Sequence, residues 1–150
     1  MTNSVPDPPA IETQEEVMFF DTDCGGVVHN IAYLRMIETC RTRLGAKLGL
    51  PLREMAAAQR FAVLLRTEID YRRPARLADQ LLIKGWLESL ERVRFWCAFE
   101  IARPSDNTLL VTCRQALALV QMPEGKPLRL PSDWEENWPR LMRARRTDQS

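Results

Sequence analysis

The sequence has a single histidine, His29, and only four cysteines in 150 residues. The cysteines are widely separated and none forms a Cys-x-x-Cys pair, so we expect neither a metal site nor another cofactor. Lys and Arg together number 21 and Asp and Glu 20, which leaves a net charge of +1. So balanced a charge gives no indication of nucleic-acid binding.

Long apolar runs are also missing. No stretch of the sequence approaches the roughly 20 apolar residues that span a bilayer, so stable membrane insertion is not expected. The first 16 residues are polar and rich in proline, without the basic and then apolar segments of a signal peptide. We therefore predict a cytoplasmic protein whose thiols are reduced.

The length and the apolar content of the chain fit one domain with one core. The sequence has 150 residues, of which 45% are hydrophobic, as in ordinary globular proteins. We predict a flexible leader at 1–13, a folded domain at 14–130, and a C-terminal extension at 131–150 that holds a short helix and a basic tail.

The most informative part of the sequence is residues 17–44. A strand predicted over 14–20 is followed by an acidic turn that contains two glycines, at 21–26. Apolar residues at steps of three and four then predict a helix over 30–47. The first N–H groups of such a helix have no partner inside it. They can bind a substrate oxygen that gains negative charge, close to an aspartate able to attack or to activate water.

Four strands are predicted after this helix, at 61–71, 81–90, 92–102 and 108–121. Alternation in the first predicts one face formed by Phe61, Val63, Leu65, Thr67, Ile69 and Tyr71. No long helical pattern separates the strands. This order favours an α+β fold, in which an antiparallel sheet wraps around the single long helix, over alternating βαβ units.

A motif in the 21–41 window resembles the signature of a known family. It reads Asp21-Thr22-Asp23-x-x-Gly26-Val27-Val28, followed at fixed spacing by Tyr33, Glu38 and Arg41. This pattern is similar to that of the 4-hydroxybenzoyl-CoA thioesterase group, which includes the acyl-CoA thioesterases associated with the Tol-Pal genes. That group is a branch of the hotdog-fold superfamily.

The resemblance carries expectations about fold, activity and assembly. It implies a five-stranded antiparallel sheet wrapped around one central helix, and a homodimer or homotetramer. It implies an enzyme, an acyl-CoA thioester hydrolase that releases a free acid and CoA. The alternative is a hotdog module without catalysis that binds acyl-CoA or acyl-carrier protein. A hotdog dehydratase is less favoured, because such relatives use a catalytic histidine in other motifs.

The resemblance also assigns roles to individual residues. It implies that Asp23 is catalytic, as the nucleophile or as the base that activates water. Asp21 is interpreted as a brace for the loop, and Cys24 as a bystander. The main-chain N–H that polarises the thioester carbonyl falls by position on Asn30. The residues expected to contact substrate are Gly25, Gly26, Val27, Tyr33, Arg92 and Arg94.

His29 and Asn30 depart from part of the family pattern. Many relatives have Tyr and then a catalytic His at these positions, whereas here the histidine comes one residue earlier. A shift of one residue turns a helical side chain by about 100°. His29 therefore either takes part in catalysis or is a packed or solvent-facing imidazole. Asn30 can orient water or act as the helix N-cap.

Basic residues are the remaining candidates. CoA ends in phosphates, so the mouth of the site should offer cations. Arg92 and Arg94 either fill that role or lie on a solvated strand face. Tyr33, Glu38 and Arg41 match family positions, but a structural role is favoured for them, with Glu38 and Arg41 paired on one helix face.

Overall fold

The computed structural model describes residues 7–143, which contain nine α-helices and β-strands and two 3-10 turns, at Phe19–Asp21 and Pro139–Leu141. The helices and strands are β1 (Ala10–Glu16), α1 (Asn30–Lys47), α2 (Leu52–Ala58), β2 (Arg60–Tyr71), β3 (Gln80–Leu90), β4 (Arg94–Arg103), β5 (Thr108–Gln121), β6 (Lys126–Pro127) and α3 (Ser132–Asn137). The long helix and the four later strands lie within two residues of their predicted bounds. The start of the predicted leader and the end of the basic tail lie outside the described residues.

The strands form one antiparallel sheet in the order β1-β3-β4-β5-β2, with the two-residue β6 added beside β5. α1 packs on one face of this sheet and contributes the centre of the core. Its side chains Met36, Ile37, Cys40 and Leu44 are fully buried. Each apolar side chain buried in this way contributes about 1.5–3 kcal/mol to the free energy of folding. The predicted α+β architecture is confirmed.

The first strand lies four residues earlier than predicted. β1 begins at Ala10, inside the predicted leader, and pairs with β3 from Ala10↔Trp86 to Glu16↔Gln80. The segment predicted as its second half instead forms a 3-10 turn at Phe19–Asp21. The Asp21 carboxylate accepts the N–H of Met18 at 3.0 Å. This bond between side chain and backbone replaces strand pairing.

A bulge in β2 corrects the predicted alternation. Leu64 pairs with Leu117 and Arg66 with Ala116, so Leu65 is an extra residue without a partner on β5. Residues directly opposite each other share a face of a sheet. Ala62 and Leu64 therefore face the helix together with Thr67, Ile69 and Tyr71, whereas Val63 faces the other side of the sheet.

The C-terminal extension packs onto the end of α1. Trp134 in α3 is 1% exposed, and its indole N–H donates to the carbonyl of Leu48 at 3.1 Å. Its ring also meets Phe95 of β4 edge to face, with centroids 5.2 Å apart. Within residues 7–143 there is no helix with the length and apolar content needed to cross a membrane.

Candidate functional site

The loop between β1 and α1 folds back as a short hairpin. Backbone hydrogen bonds join Asp23 to Val27 at 2.9 Å and Asp21 to His29 at 3.0 Å. Gly26 closes the turn with φ of +75°, a conformation that side chains with a Cβ rarely adopt. The hairpin therefore holds both aspartates beside the segment that leads into α1.

Asp23 is exposed at the tip of this hairpin. Its Oδ1 accepts the N–H of Gly25 at 2.8 Å, as an Asp side chain in a turn commonly does. Within residues 7–143 no group donates to Oδ2. A Cβ on Gly25 would lie 3.2 Å from Oδ1, so glycine leaves room for the carboxylate. One oxygen is therefore oriented by the turn, while the other faces outward.

Asp21 lies two residues away in a different environment. It is 1% exposed, and its Oδ2 accepts the N–H of Met18. Its Oδ1 lies 3.5 Å from Nη2 of Arg35 on α1. The carboxylate thus ties the 3-10 turn to the helix, which is the geometry of a brace.

His29 is the N-cap of α1, a position that the sequence analysis considered for Asn30. Its Nδ1 accepts the N–H of Ala32 at 3.1 Å, and its Nε2 lies 3.1 Å from the carbonyl oxygen of Phe20. Because Nδ1 accepts, the proton is on Nε2, which donates to Phe20. Both ring nitrogens are engaged by backbone. Because histidine is an uncommon N-cap, the residue type alone does not predict this role.

Asn30 is the first residue of α1, and its side chain is exposed. In the described part of the chain the N–H groups of Asn30 and Ile31 have no hydrogen-bond acceptor. In the hairpin, Asp23 pairs with Val27, which precedes Asn30 by three residues, so Asp23 and the first N–H groups of α1 belong to the same short loop.

Two further predicted residues anchor the helix N-terminus to the chain after β2. The hydroxyl of Tyr33 accepts the N–H of Ala75 at 2.8 Å, and Val27 forms a bridge to Arg76. Burial raises the pKa of Tyr33. Its hydroxyl is therefore bound to backbone, and the ring, 5.7 Å from that of Tyr71, forms a wall beside Asn30.

Arg92 and Arg94 lie at the opposite end of α1 from Asp23. Arg92 lies in the β3–β4 connection and Arg94 begins β4, and the next residue, Phe95, packs on Trp134 next to the helix C-terminus. α1 has 18 residues and is about 27 Å long. Arg94 also pairs with Glu91 at 3.3 Å. Within one chain, the structure does not bring these two arginines together with Asp23.

A second pair of arginines lies nearer to the helix N-terminus. A cavity of about 310 Å³ is lined by Val28, Asn30, Tyr33, Tyr71, Arg72, Arg73 and Pro74. The two arginines are exposed and belong to the candidate site, although the sequence analysis did not select them. The signal that could have found them is an Arg-Arg pair between the end of a strand and a proline.

No group of three or more His, Cys, Asp or Glu side chains within residues 7–143 has the geometry of a metal site. The candidate site is therefore built from Asp23, its glycine turn, and the free N–H groups at the start of α1. This arrangement offers one carboxylate oxygen and a positive helix end to a carbonyl substrate.

Comparison with known proteins assigns the chain to a family. Residues 17–138 match the family model of the thioesterase-like superfamily. The chain belongs to this superfamily. The match covers the loop, all of α1 and most of the sheet.

Relatives and solved structures of the thioesterase-like superfamily agree with this assignment. The 1,4-dihydroxy-2-naphthoyl-CoA hydrolase of Synechocystis sp. is 28% identical over 123 residues, which are 81% of this chain and 89% of that protein. The acyl-CoA thioester hydrolase YbgC of Escherichia coli is 29% identical over 115 residues, 77% of this chain and 85% of that protein. The 4-hydroxybenzoyl-CoA thioesterase structure from Pseudomonas sp. strain CBS-3 superposes with a TM-score of 0.77 over 85% of this chain and 98% of that one. At 20% identity, this last likeness shows the fold alone. The predicted family, hotdog fold and thioesterase class are confirmed.

Proposed function

We propose that this chain hydrolyses an acyl-CoA thioester to a free acid and CoA. The observation that carries the proposal is exposed Asp23, whose Oδ2 accepts no hydrogen bond within residues 7–143, on a glycine turn in the loop that leads to the unpaired N–H groups of α1. Membership of the thioesterase-like superfamily and the names of two relatives, both hydrolases of CoA thioesters, support it.

The chemistry follows from charge. Asp23 either attacks the carbonyl carbon directly, which gives a mixed anhydride that water then hydrolyses to the free acid, or removes a proton from an attacking water and returns it to the leaving sulfur. A bond forms from oxygen to that carbon, the C–S bond breaks, and CoA leaves as the thiolate in the first route and as the thiol in the second. The carbonyl oxygen becomes negative on the way, and the N–H of Asn30 at the positive end of α1 stabilises it.

The phosphates of CoA need cations near this site. Arg72 and Arg73 line the cavity that also contains Asn30, so we propose that they bind phosphate oxygens. Arg92 and Arg94 would reach substrate only from a second copy. A two-fold axis that pairs β2 with its own copy reverses the ends of the two chains. It thereby turns the β3–β4 connection of one copy toward the Asp23 end of the other.

The decisive variant is Asp23→Asn, because asparagine keeps the oxygen that accepts the Gly25 N–H but removes the nucleophile and base. We expect kcat/KM to fall by about 10²–10⁴-fold and Tm to stay unchanged. The assay follows CoA release with a thiol reagent across aryl, short-chain and long-chain acyl-CoAs.

The matched control is Asp21→Asn, since this buried carboxylate is bonded to Met18 and Arg35. It should lower Tm, with a smaller effect on kcat than Asp23→Asn. If the wild type releases no CoA from any substrate, or if Asp23→Asn keeps full activity, the assignment fails.

The alternative function is an acyl-CoA or acyl-carrier-protein binding module without turnover. The observation in its favour is that both nitrogens of His29 are bonded to backbone, which leaves no imidazole free to move a proton. Calorimetry on the same acyl-CoA panel separates the two functions. Tight binding without CoA release would support the module.

A further inference from the structure

Two recesses lie along α1 beyond the candidate site. The first, which we call the α1–β2 groove, has a volume of about 450 Å³, and its walls include Ile31, Leu34, Leu64 and Ile69. The second, the α2 cavity, is more enclosed, with a volume of about 180 Å³. It is mostly apolar, and its walls include Leu44, Leu48, Met55, Phe61, Phe95 and Leu117.

Glu38 and Arg41 are the residues that the two recesses share. Nη1 of Arg41 donates to Oε1 of Gln115 at 2.6 Å, and Nε2 of Gln115 donates to the Thr67 hydroxyl at 3.2 Å. Glu38 lies 3.8 Å from Nη2 of Arg41. Gln115 is 1% exposed, and 19% of the Arg41 side chain is exposed. A held guanidinium therefore separates two apolar spaces.

The electrostatics of this junction oppose the passage of an alkyl chain. Burial lowers the pKa of Arg41, and Glu38 acts in the opposite direction. A guanidinium nevertheless keeps its charge in a protein. An alkyl chain that passed Arg41 would separate it from Gln115 or remove its remaining contact with water, and both changes are unfavourable.

The length of α1 between Asn30 and Arg41 gives the length of acyl chain that the α1–β2 groove can hold. Arg41 follows Asn30 by 11 residues, an axial distance of about 16 Å at 1.5 Å per residue. An extended chain advances about 1.2 Å per bond. An acyl group that starts at the N-terminus of α1 therefore reaches Arg41 after about a dozen carbons, and a shorter acyl or aryl group ends before it.

We propose that Arg41, held by Gln115 and Glu38, sets the maximum length of the acyl group by closing the α1–β2 groove before the α2 cavity. This inference rests on the proposed thioesterase function and specifies its substrate class as short- and medium-chain or aryl thioesters. Opening the junction would let a longer chain enter the α2 cavity.

The experiment compares kcat/KM for a series of saturated acyl-CoAs from about 4 to about 16 carbons. In the wild type, kcat/KM should fall beyond about a dozen carbons. For each variant we divide kcat/KM for the longest substrate by kcat/KM for the eight-carbon substrate. In Arg41→Ala this ratio should rise at least about tenfold, which is the lower end of the effect of one methylene group in an apolar pocket. Adding Ala62→Leu, which fills part of the α2 cavity, should reverse the gain.

A second variant and a binding measurement complete this experiment. Arg41→Met keeps most of the side-chain volume, so it serves if Arg41→Ala loses its fold, with the same direction expected. Calorimetry with non-hydrolysable alkyl-CoA thioethers measures the same length limit without turnover, so a failure of the proposed function is distinguished from a failure of this inference. A wild type that accepts the longest chain as well as the eight-carbon one, or an unchanged ratio in the folded variants, would overturn it.

Discussion

Two aspartates two residues apart show how environment separates roles at the scale of single residues. Asp21 is buried, and both of its oxygens contact donors, from Met18 and from Arg35. Asp23 is exposed, and only one of its oxygens is bonded. A carboxylate with two donors gains stability by staying in place, whereas one with a free oxygen can accept a proton or attack. The two side chains therefore suit different tasks.

The four cysteines permit a prediction about reactivity. Cys24 is exposed, whereas Cys40, Cys97 and Cys113 are buried. Burial raises the pKa of both Cys97 and Cys113 to about 12. Since the thiolate is the reactive form, we expect one fast-reacting thiol per native chain at pH 8. A colorimetric thiol reagent should count one site in buffer and four in urea.

Cys24→Ser is the matched control for this count. It should remove the fast phase and leave acyl-CoA hydrolysis intact, because the proposed chemistry uses the neighbouring carboxylate. More than one fast thiol in the wild type would contradict the burial of the other three. Loss of turnover in Cys24→Ser would contradict the interpretation of Cys24 as a bystander.

The environment of the His29 side chain could not be predicted from the sequence. The position of this histidine, one residue before the expected one, is compatible with a catalytic, a packed or a solvent-facing imidazole. What engages it is the geometry of the loop, because the hairpin from Asp21 brings the Phe20 carbonyl to Nε2. That contact joins residues nine apart through a turn whose path depends on tertiary packing. The sequence pattern could not specify it.

At the scale of elements, a side chain of α3 caps the C-terminus of α1. The last carbonyls of a helix lack partners inside it, and the indole N–H of Trp134 supplies one to Leu48. Trp134→Phe removes this donor but keeps a ring against Phe95. We expect it to cost about 1–3 kcal/mol of stability, measured by urea unfolding.

Trp138→Phe is the matched control for this cap. Trp138 is 9% exposed, and its indole N–H has no acceptor within residues 7–143. Both changes remove a similar volume, so the difference between them isolates the hydrogen bond. Trp134→Phe should therefore be about 1 kcal/mol the more destabilising of the two. Equal losses would mean that the bond to Leu48 adds nothing.

The same scale shows which elements the sequence predicts well. The helical period predicted α1, and period-two alternation predicted β4, because both follow from one buried face. β2 was harder, since the bulge at Leu65 moves every later side chain to the other face. A bulge that adds one residue between two apolar stretches does not change the composition of the strand. Its position depends on the partner strand β5.

At the scale of the whole molecule, one edge of the sheet is long, and no strand of residues 7–143 covers it. β2 lies at the end of the strand order and is 12 residues long. Its Leu64 and Leu65 are 46% and 52% exposed. A long edge strand with exposed apolar side chains favours pairing with another chain. We propose that a second copy of this chain pairs with β2, as the predicted homodimer or homotetramer requires.

Leu65→Lys tests this assembly, because Leu65 lies near the middle of β2 and would meet its own copy close to a two-fold axis. Two facing ammonium groups cost several kcal/mol, so the dissociation constant should rise at least about 100-fold, or about 3 kcal/mol. Light scattering after size exclusion should change from a multiple of 17.3 kDa to that mass. Leu77→Lys, 40% exposed in the β2–β3 connection, is the control and should leave the mass unchanged.

Because Arg92 and Arg94 reach the Asp23 end only from a second copy, monomeric Leu65→Lys should also bind CoA more weakly. A wild type that is monomeric at every concentration and fully active would exclude both the pairing and this role of the two arginines.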